Sequence, residues 1–349
     1  MIVADDSAVV RQVVRDVLEA DGIVVAAEAR DGREAIDLTC RHTPDLVVMD
    51  ILMPHVDGVQ AVARIMDRAP TRVLILSNVA RNGDVGLCLD ALRAGALDVM
   101  PKPVDLTAVT RPDWARDFVE RVRLLAGMRL PALSRARVRP PDPVPSPPQP
   151  VRAVGELPLR CVAIGASTGG PRVIGQLLRD LPADFPAGLL IVQHIATGFA
   201  DGLARWLNAC SPLEVRVARA GDRVRPGSVL LAPTGQHMVL RHGVVTLLHE
   251  APVHGCRPSV DVLFQSVAHN FRSGALGIIL SGMGIDGAEG AAAMKDRGAQ
   301  ILVQAEETCT IFGMPKAVLA RCVVDKIVQP DQLARELLRR AHGGRGGAA

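Results

Sequence analysis

Residues 129–152 cannot belong to a packed core. Those 24 positions hold eight prolines, five arginines and a single acid, Asp142, and include the run Pro-Val-Pro-Ser-Pro-Pro-Gln-Pro at 143–150. Each proline removes a backbone donor and favours extended geometry, so the segment reads as a semi-stiff linker. It leaves ~125 residues before it and ~195 after, each enough for a domain with its own core. The expected division is a first domain over 1–125, a linker over 126–156, a second domain over 157–342 and a flexible Gly-rich tail over 343–349.

Composition narrows the function classes. The formal net charge is only +3, and the arginine-rich linker accounts for it, so neither flanking domain carries the basic excess of a nucleic-acid binder. Six Phe, two Trp and no Tyr leave few platforms on which bases could stack. With aromatics at 2% of the chain the cores must be filled by Val, Leu, Ile and Ala, and the first 113 residues have no aromatic at all. Seven cysteines (40, 88, 161, 210, 256, 309, 322) stand far apart without a Cys-x-x-Cys pair. They read as scattered reduced thiols rather than as a disulfide frame or zinc site. Met1–Asp6 shows neither a basic leader nor an apolar run, and no stretch approaches ~18 uninterrupted apolar residues. A cytoplasmic protein that is not membrane-inserted is expected.

In the first domain, Ile2–Ala4, Ile23–Ala26, Leu46–Met49, Val73–Leu76 and Leu97–Met100 read as five short strands. Amphipathic stretches separate them, such as Val9–Ala20 with Val10, Val13, Val14, Val17 and Leu18 on one face. Strands alternating with helices predict a parallel sheet covered on both sides, with the ligand crevice at the carboxyl ends of the strands. Those ends carry Asp5-Asp6, Asp50, Ser77 and Lys102. Converging carboxylates need a cation, and oxygen donors with room for water suit Mg²⁺. A lysine and a hydroxyl nearby could hold a phosphoryl group on one carboxylate. The plainer alternative makes Asp-Asp-Ser a helix cap and Met-Pro-x-x-Asp-Gly a turn.

Residues 1–125 resemble bacterial response-regulator receiver domains. The matching pieces are Asp5-Asp6-Ser7, Met49-Asp50-Ile51-Leu52-Met53-Pro54 with Asp57-Gly58, Leu76-Ser77 and Pro101-Lys102-Pro103. The resemblance implies phosphorylation of Asp50, with Asp5, Asp6, Asp50 and the Leu52 carbonyl holding Mg²⁺. It implies that Ser77 and Lys102 contact the phosphate and transmit the change. Val99 stands where that family usually carries Tyr or Phe as partner of the hydroxyl switch, and strand one begins almost at Met1.

The second domain opens with the strand run Cys161–Ile164, then Gly165-Ala166-Ser167-Thr168-Gly169-Gly170 and a helix started by Pro171. Gly-x-Ser-x-Gly between strand and helix is the arrangement of a nucleophile elbow. A phosphate cradle without the usual lysine, or a serine that only caps the helix, are the competing readings. A serine nucleophile needs a base. His194 follows the apolar run Leu189–Val192 and so lies at a strand end. Among the other histidines, His242 falls in the turn of an expected hairpin over Val239–Leu248 and His342 in the tail. His237, His249, His254 and His269 read as loop or helix-surface residues. For the orienting acid, Leu276–Ser281 is another strand run, leading into Gly282-Met283-Gly284-Ile285-Asp286-Gly287. Asp286 is therefore either the third member or only a helix cap.

The chain order Ser…His…Asp differs from that of lipase-type hydrolases. It is similar to that of the chemotaxis receptor methylesterases, which join a receiver to a serine esterase. The shared pieces are Gly-Ala-Ser-Thr-Gly-Gly (165–170), Gln-His (193–194), Arg-Pro-Ser-Val-Asp (257–261), Ser-Gly-Met-Gly-x-Asp-Gly-Ala (281–288) and Phe-Gly-Met-Pro (312–315). Ala-Pro-Thr-Gly at 232–235 departs from that family, which more often has two glycines after the proline. The fold so implied is two doubly wound, mainly parallel α/β domains, a flavodoxin-like receiver and a larger esterase domain with a β-hairpin. The implied function is hydrolysis of glutamate γ-methyl esters on chemoreceptors, releasing methanol, with deamidation of receptor glutamines. The resemblance also implies a catalytic triad of Ser167, His194 and Asp286, with Met283 N–H and Thr168 at the oxyanion site. Arg257 would either line the cleft or serve structure. No cofactor is expected for the ester step, and Mg²⁺ only in the receiver. A histidine kinase would be the phosphodonor and methylated receptors the substrate, the protein being a monomer that binds no nucleic acid. The alternative class is a receiver whose second domain only binds a partner. A DNA-binding output has less support, because nothing after residue 152 reads as a basic recognition helix.

Overall fold

Five parallel strands form the first sheet of the structure, a computed structural model that describes residues 1–77, 84–103, 112–128 and 158–343. The elements alternate as β1 (Ile2–Ala4), α1 (Ala8–Ala20), β2 (Ala27–Ala29), α2 (Gly32–His42), β3 (Leu46–Asp50), α3 (Gly58–Arg68), β4 (Arg72–Ser77), α4 (Asp84–Ala94), β5 (Asp98–Pro101) and α5 (Pro112–Ala126). The sheet order is β2-β1-β3-β4-β5, the doubly wound flavodoxin-like order, with its switch point between β1 and β3. Alternate strand residues feed opposite layers. Val3, Val48, Leu74 and Leu76 pack against Val14 and Leu18 of α1 and Phe118, Val122 and Leu125 of α5. Ile2, Val47, Met49 and Ile75 face α2, α3 and α4.

One strand lies elsewhere than expected. The run Ile23–Ala26 is not the second strand, which starts at Ala27. Val24 is exposed, and Ala26 N–H donates to the Met1 carbonyl ahead of the β1 ladder. β-branched residues marked a strand here because they suit extended backbone in general, whereas register with β1 decides which residues pair.

The second sheet is built from β6 (Cys161–Ala166), α6 (Gly170–Asp180), β7 (Gly188–Gln193), α7 (Ala200–Cys210), β8 (Glu214–Val217), β9 (Ser228–Leu231), the hairpin β10 (His237–Arg241) and β11 (Val244–Leu248), α8 (Val260–Phe271), β12 (Ala275–Ile279), α9 (Ala288–Asp296), β13 (Gln300–Gln304), α10 (Met314–Arg321), β14 (Lys326–Val328) and α11 (Leu333–Gly343). Seven parallel strands run in the order β14-β13-β12-β6-β7-β9-β8, and the hairpin stands apart from them. The chain leaves β6 toward β7 on one side and later returns to β12 on the other. The switch point is therefore β6, and the crevice opens over the ends of β12, β6 and β7. Ile164, Ile191 and Ile278 face α6, α7 and α11, while Ala163, Val192 and Ile279 face α8, α9 and α10.

The two domains touch through α4, which packs on α6 and α7. Val85 of α4 sits over Gly202 of α7 so closely that a Cβ at 202 would lie 2.1 Å from its Cγ1. Only glycine leaves that space. The linker and tail expectations fall almost entirely on 129–157 and 344–349, outside the described residues. Among the described residues, no helix is long and apolar enough to cross a membrane.

Candidate active site

The carboxyl ends of β1, β3, β4 and β5 bring the expected receiver residues together. Asp5 and Asp50 are buried and Asp6 is exposed, and donor oxygens of the three lie within 4.8 Å of one another. Lys102 Nζ is 2.8 Å from Asp5 Oδ2 and 2.8 Å from Asp50 Oδ2. Burial pushes the Asp50 carboxyl up to about 6, helped by the Asp5 charge and opposed by Lys102. Burial works against the Lys102 charge, but Asp50 and Asp5 outweigh it and raise the ammonium pKa. Ser77 is buried at the end of β4, and its carbonyl accepts from Lys102 N–H at 2.9 Å. Leu52 lies in the loop past Asp50, with its side chain exposed. The capping alternative holds for two neighbours only. Ser7 accepts from Val10 N–H to cap α1, and Asp57 accepts from Gln60 N–H to cap α3. An all-oxygen acidic cluster with one exposed member fits a hard divalent cation.

In the second domain, Ser167 leaves the end of β6 with its N–H bonded to the Ser281 carbonyl at 3.0 Å. It is not a cap: Gly169 occupies the N-cap of α6, in left-handed conformation (φ +83°), and no side chain caps that helix. Gly282 lets the β12 loop approach, since a Cβ there would stand 2.7 Å from Ser167 Cβ. His194 follows β7 and is anchored by its N–H to the Ala166 carbonyl at 2.9 Å. Its Nε2 is 2.8 Å from Asp286 Oδ2.

Asp286 is not a cap either, because Gly287 takes that position for α9. The carboxylate instead sits against the N-terminus of α8. Its Oδ1 accepts from Ser259 Oγ at 2.7 Å and Asp261 N–H at 3.0 Å, and its Oδ2 from Val260 N–H at 2.7 Å. Helix N–H groups and the α8 dipole favour the anion. Burial opposes its charge, yet the hydrogen bonds with His194 and α8 hold the carboxyl below its ordinary value. Burial likewise disfavours imidazolium at His194, but Asp286 and Cys256 outweigh it and raise the imidazole pKa to about 9. Nε2 is bonded to Asp286, and the other ring nitrogen, Nδ1, stands 3.8 Å from Cys256 Sγ.

Ser167 thus stands at the β6 switch point, with His194 after β7 and Asp286 after β12 on either side. Residues 162–337 match the CheB methylesterase family, and residues 1–111 match the response regulator receiver domain. A protein-glutamate methylesterase/protein-glutamine glutaminase of Myxococcus xanthus is 40% identical over 348 residues, covering 99% of this chain and 98% of that protein. One of Anaeromyxobacter dehalogenans is 41% identical, covering 97% of this chain and 95% of that protein. The chain belongs to the CheB methylesterase family. The crystal structure of the Thermotoga maritima CheB methylesterase catalytic domain is similar, with 34% identity and a TM-score of 0.50 over 52% of this chain and 99% of that one.

Within this CheB-family chain, Thr168 is held by the receiver. Its Oγ1 donates to Asp98 Oδ2 at 2.8 Å and accepts from Arg121 at 2.9 Å, and Arg121 is itself paired with Asp98. β5 and α5 thus reach the residue next to Ser167. Met283 is half-buried in the β12 loop. The Gly282 carbonyl accepts from both Gly313 and Met314 N–H, at 3.1 and 2.9 Å, which fixes the peptide carrying Met283 N–H.

Three supporting residues, Gln193, Ser259 and His237, were not legible as such in the sequence. Gln193 is buried and donates to the Ser167 and His194 carbonyls. Ser259 braces Asp286 while its own N–H donates to His237 Nδ1 at 3.1 Å. His237, expected as a solvated loop residue, is instead fully buried at the start of β10. Its Nδ1 accepts from Ser259, so its Nε2–H donates to the Ala251 carbonyl. His342 lies in the last turn of α11 rather than in a tail. Cys256 Sγ stands 3.8 Å from His194 Nδ1. Arg257 donates to the Glu250 carbonyl at 2.9 Å, which favours its structural reading.

Proposed function

We propose that this chain is a phosphorylation-activated protein-glutamate methylesterase and protein-glutamine glutaminase acting on methyl-accepting chemotaxis receptors in the cytoplasm. The observation that carries the reading is the His194–Asp286 pair at 2.8 Å, set beside the Ser167 turn at the β6 switch point. His194 Nδ1 takes the Ser167 proton as Oγ attacks the γ-ester carbonyl. Asp286 holds the Nε2–H tautomer and balances the imidazolium. The Met283 N–H, set by the pinned Gly282 peptide, stabilises the oxyanion, and Thr168 supports it. Collapse expels methanol, protonated by His194. Water activated by the same nitrogen then releases glutamate and frees Ser167. With a glutamine substrate the leaving group is ammonia.

Only neutral imidazole can act as this base, so activity follows the deprotonated form of His194. The rate of ester hydrolysis should rise with pH and level off near about 9, the raised value of His194. A stopped-flow methanol assay from pH 6 to 10 that finds a flat rate below 9 would refute this. Stability has the opposite sign. The His194–Asp286 pair contributes fully below the ordinary imidazole value and fades as pH rises through about 9.

The division we propose is receiver 1–125, linker 126–156, esterase 157–342 and tail 343–349. Asp50 takes the phosphoryl group from a chemotaxis histidine kinase, with Asp5, Asp6 and the Leu52 carbonyl as the other metal ligands. Bound there, Mg²⁺ would neutralise charge during phosphoryl transfer. Lys102 and Ser77 meet the phosphate at one end of β5, and Asp98 grips Thr168 from the other end. Strain or shift in β5 on phosphorylation therefore releases the contact beside Ser167. Losing a charge-assisted hydrogen bond costs about 1.5–3 kcal/mol, so Asp98→Ala should raise the unphosphorylated rate roughly ten- to a hundredfold. The test compares methanol release from methylated receptor, with and without a small phosphoryl donor, in the full chain, Asp98→Ala and Asp50→Asn. Asp50→Asn should not respond to the donor. A donor response undiminished in Asp50→Asn, or an Asp98→Ala rate equal to wild type, would overturn the coupling.

A further inference from the structure

The thiol beside the His194 imidazole is given no bond-making step in the ester mechanism above, and its placement matches a metal site. Tetrahedral Zn²⁺ binds sulfur at about 2.3 Å and imidazole nitrogen at about 2.0–2.1 Å, which spaces the two donors by about 3.6 Å. Cys256 Sγ and His194 Nδ1 are 3.8 Å apart. A second, independent feature points the same way. A histidine that binds zinc through one nitrogen usually donates its other N–H to a carboxylate, which fixes the tautomer and raises the basicity of the ligand. Asp286 Oδ2 does this at Nε2, at 2.8 Å. Ligand atoms of His194, Cys256 and Asp286 all fall within 4.8 Å of one another. Neither His194, with 14% of its side chain exposed, nor Cys256 is fully buried.

We infer that His194 Nδ1 and Cys256 Sγ form an inhibitory site for a soft divalent cation of the Zn²⁺ type, with Asp286 as the outer carboxylate. Binding replaces the thiol proton: Cys256–SH and Zn²⁺ give the zinc thiolate and one H⁺. The imidazole lone pair enters the metal bond and is lost to Ser167. Asp286 already accepts from Ser259 Oγ, Val260 N–H and Asp261 N–H, so it steadies the ring rather than entering the inner sphere, and the remaining positions are left to water. Two protein ligands make a reversible site. The inhibitory consequence rests on His194 being the base, whereas the binding does not.

The experiment uses the full chain in metal-free buffer, as wild type, Cys256→Ala and Cys256→Ser. Cys256 lies in the half-exposed Val253–Cys256 turn, where either change removes no core side chain. Zinc bound per chain is read by competition with a chromogenic chelator, and thiolate-to-cobalt charge transfer is read with Co²⁺. Ester hydrolysis is read as the ratio of rates with and without Zn²⁺ within each variant, so changes in basal rate cancel. Wild type should bind one more equivalent than either variant and show the cobalt–thiolate band. It should lose roughly tenfold or more of its rate at tens of micromolar Zn²⁺, reversed by chelator, while the variants keep theirs. Equal zinc binding and equal inhibition in wild type and both variants would overturn the site. Zinc bound at Cys256 without loss of rate would overturn the inhibition. Wild type without esterase activity in metal-free buffer would instead count against the function proposed above, and the chelator and cobalt readings would still judge the site.

Discussion

Replacing Ser167 by alanine is expected to lower methanol release by roughly four to six orders of magnitude, because it removes the oxygen that forms the acyl bond. The fold should tolerate the change. Alanine keeps the Cβ that packs over Gly282, and the bonds anchoring this turn come from backbone groups: Ser167 N–H to Ser281 and Gln193 Nε2 to the Ser167 carbonyl. The receiver is untouched, so the variant should still take a phosphoryl group on Asp50. That makes phosphorylation the internal control. Methanol release within tenfold of wild type, in a chain that phosphorylates normally, would remove Ser167 from the mechanism.

The second large effect belongs to Asp286→Asn. Each oxygen of Asp286 accepts two hydrogen bonds: Oδ1 from Ser259 Oγ and Asp261 N–H, Oδ2 from Val260 N–H and His194 Nε2. An amide can replace only one oxygen with an NH₂, and either choice faces that donor toward other donors. With NH₂ toward His194, the ring must turn to the tautomer that carries its proton on Nδ1, and the base is blocked. With NH₂ on the other side, the α8 cap is broken. The expected loss is about 10⁴-fold in kcat, with a stability cost of about 1–3 kcal/mol from the unmet donors. Steady-state kinetics and a thermal melt, taken together, check both. A variant that melts earlier yet retains its kcat would show that Asp286 supports the fold and not the reaction.

Much of this site was legible in the linear chain because its parts are local. Gly165–Gly170 combines a buried strand, a glycine turn and a proline-started helix, and each depends only on neighbouring residues. The same holds for Asp50 at the end of a β-branched run and for His194 after Leu189–Val192. Once these runs are strands of parallel sheets, the crevice rule places their ends together. The seven-stranded order then confirms β6 as the strand flanked by β7 and β12. The choice between nucleophile and cap at Ser167, and between acid and cap at Asp286, was different. Both positions precede helices, and only the folded chain places Gly169 and Gly287 at the caps.

Composition, periodicity and turn chemistry by themselves pointed to two α/β domains and to the strand ends that gather the candidate residues. Those properties are written in stretches of fewer than about fifteen residues, the range over which propensity and patterning act. Contacts across long sequence separations were decided only by tertiary structure. Asp98 and Arg121 reach Thr168 across the domain boundary, and Val85 fits the space left by Gly202. His237 is buried behind Ser259, and the Cys256 thiol lies against the His194 imidazole. No local pattern encodes such pairs, because each depends on how two separately folded surfaces meet. The cysteines read as scattered along the chain, but one of them stands beside His194 in space.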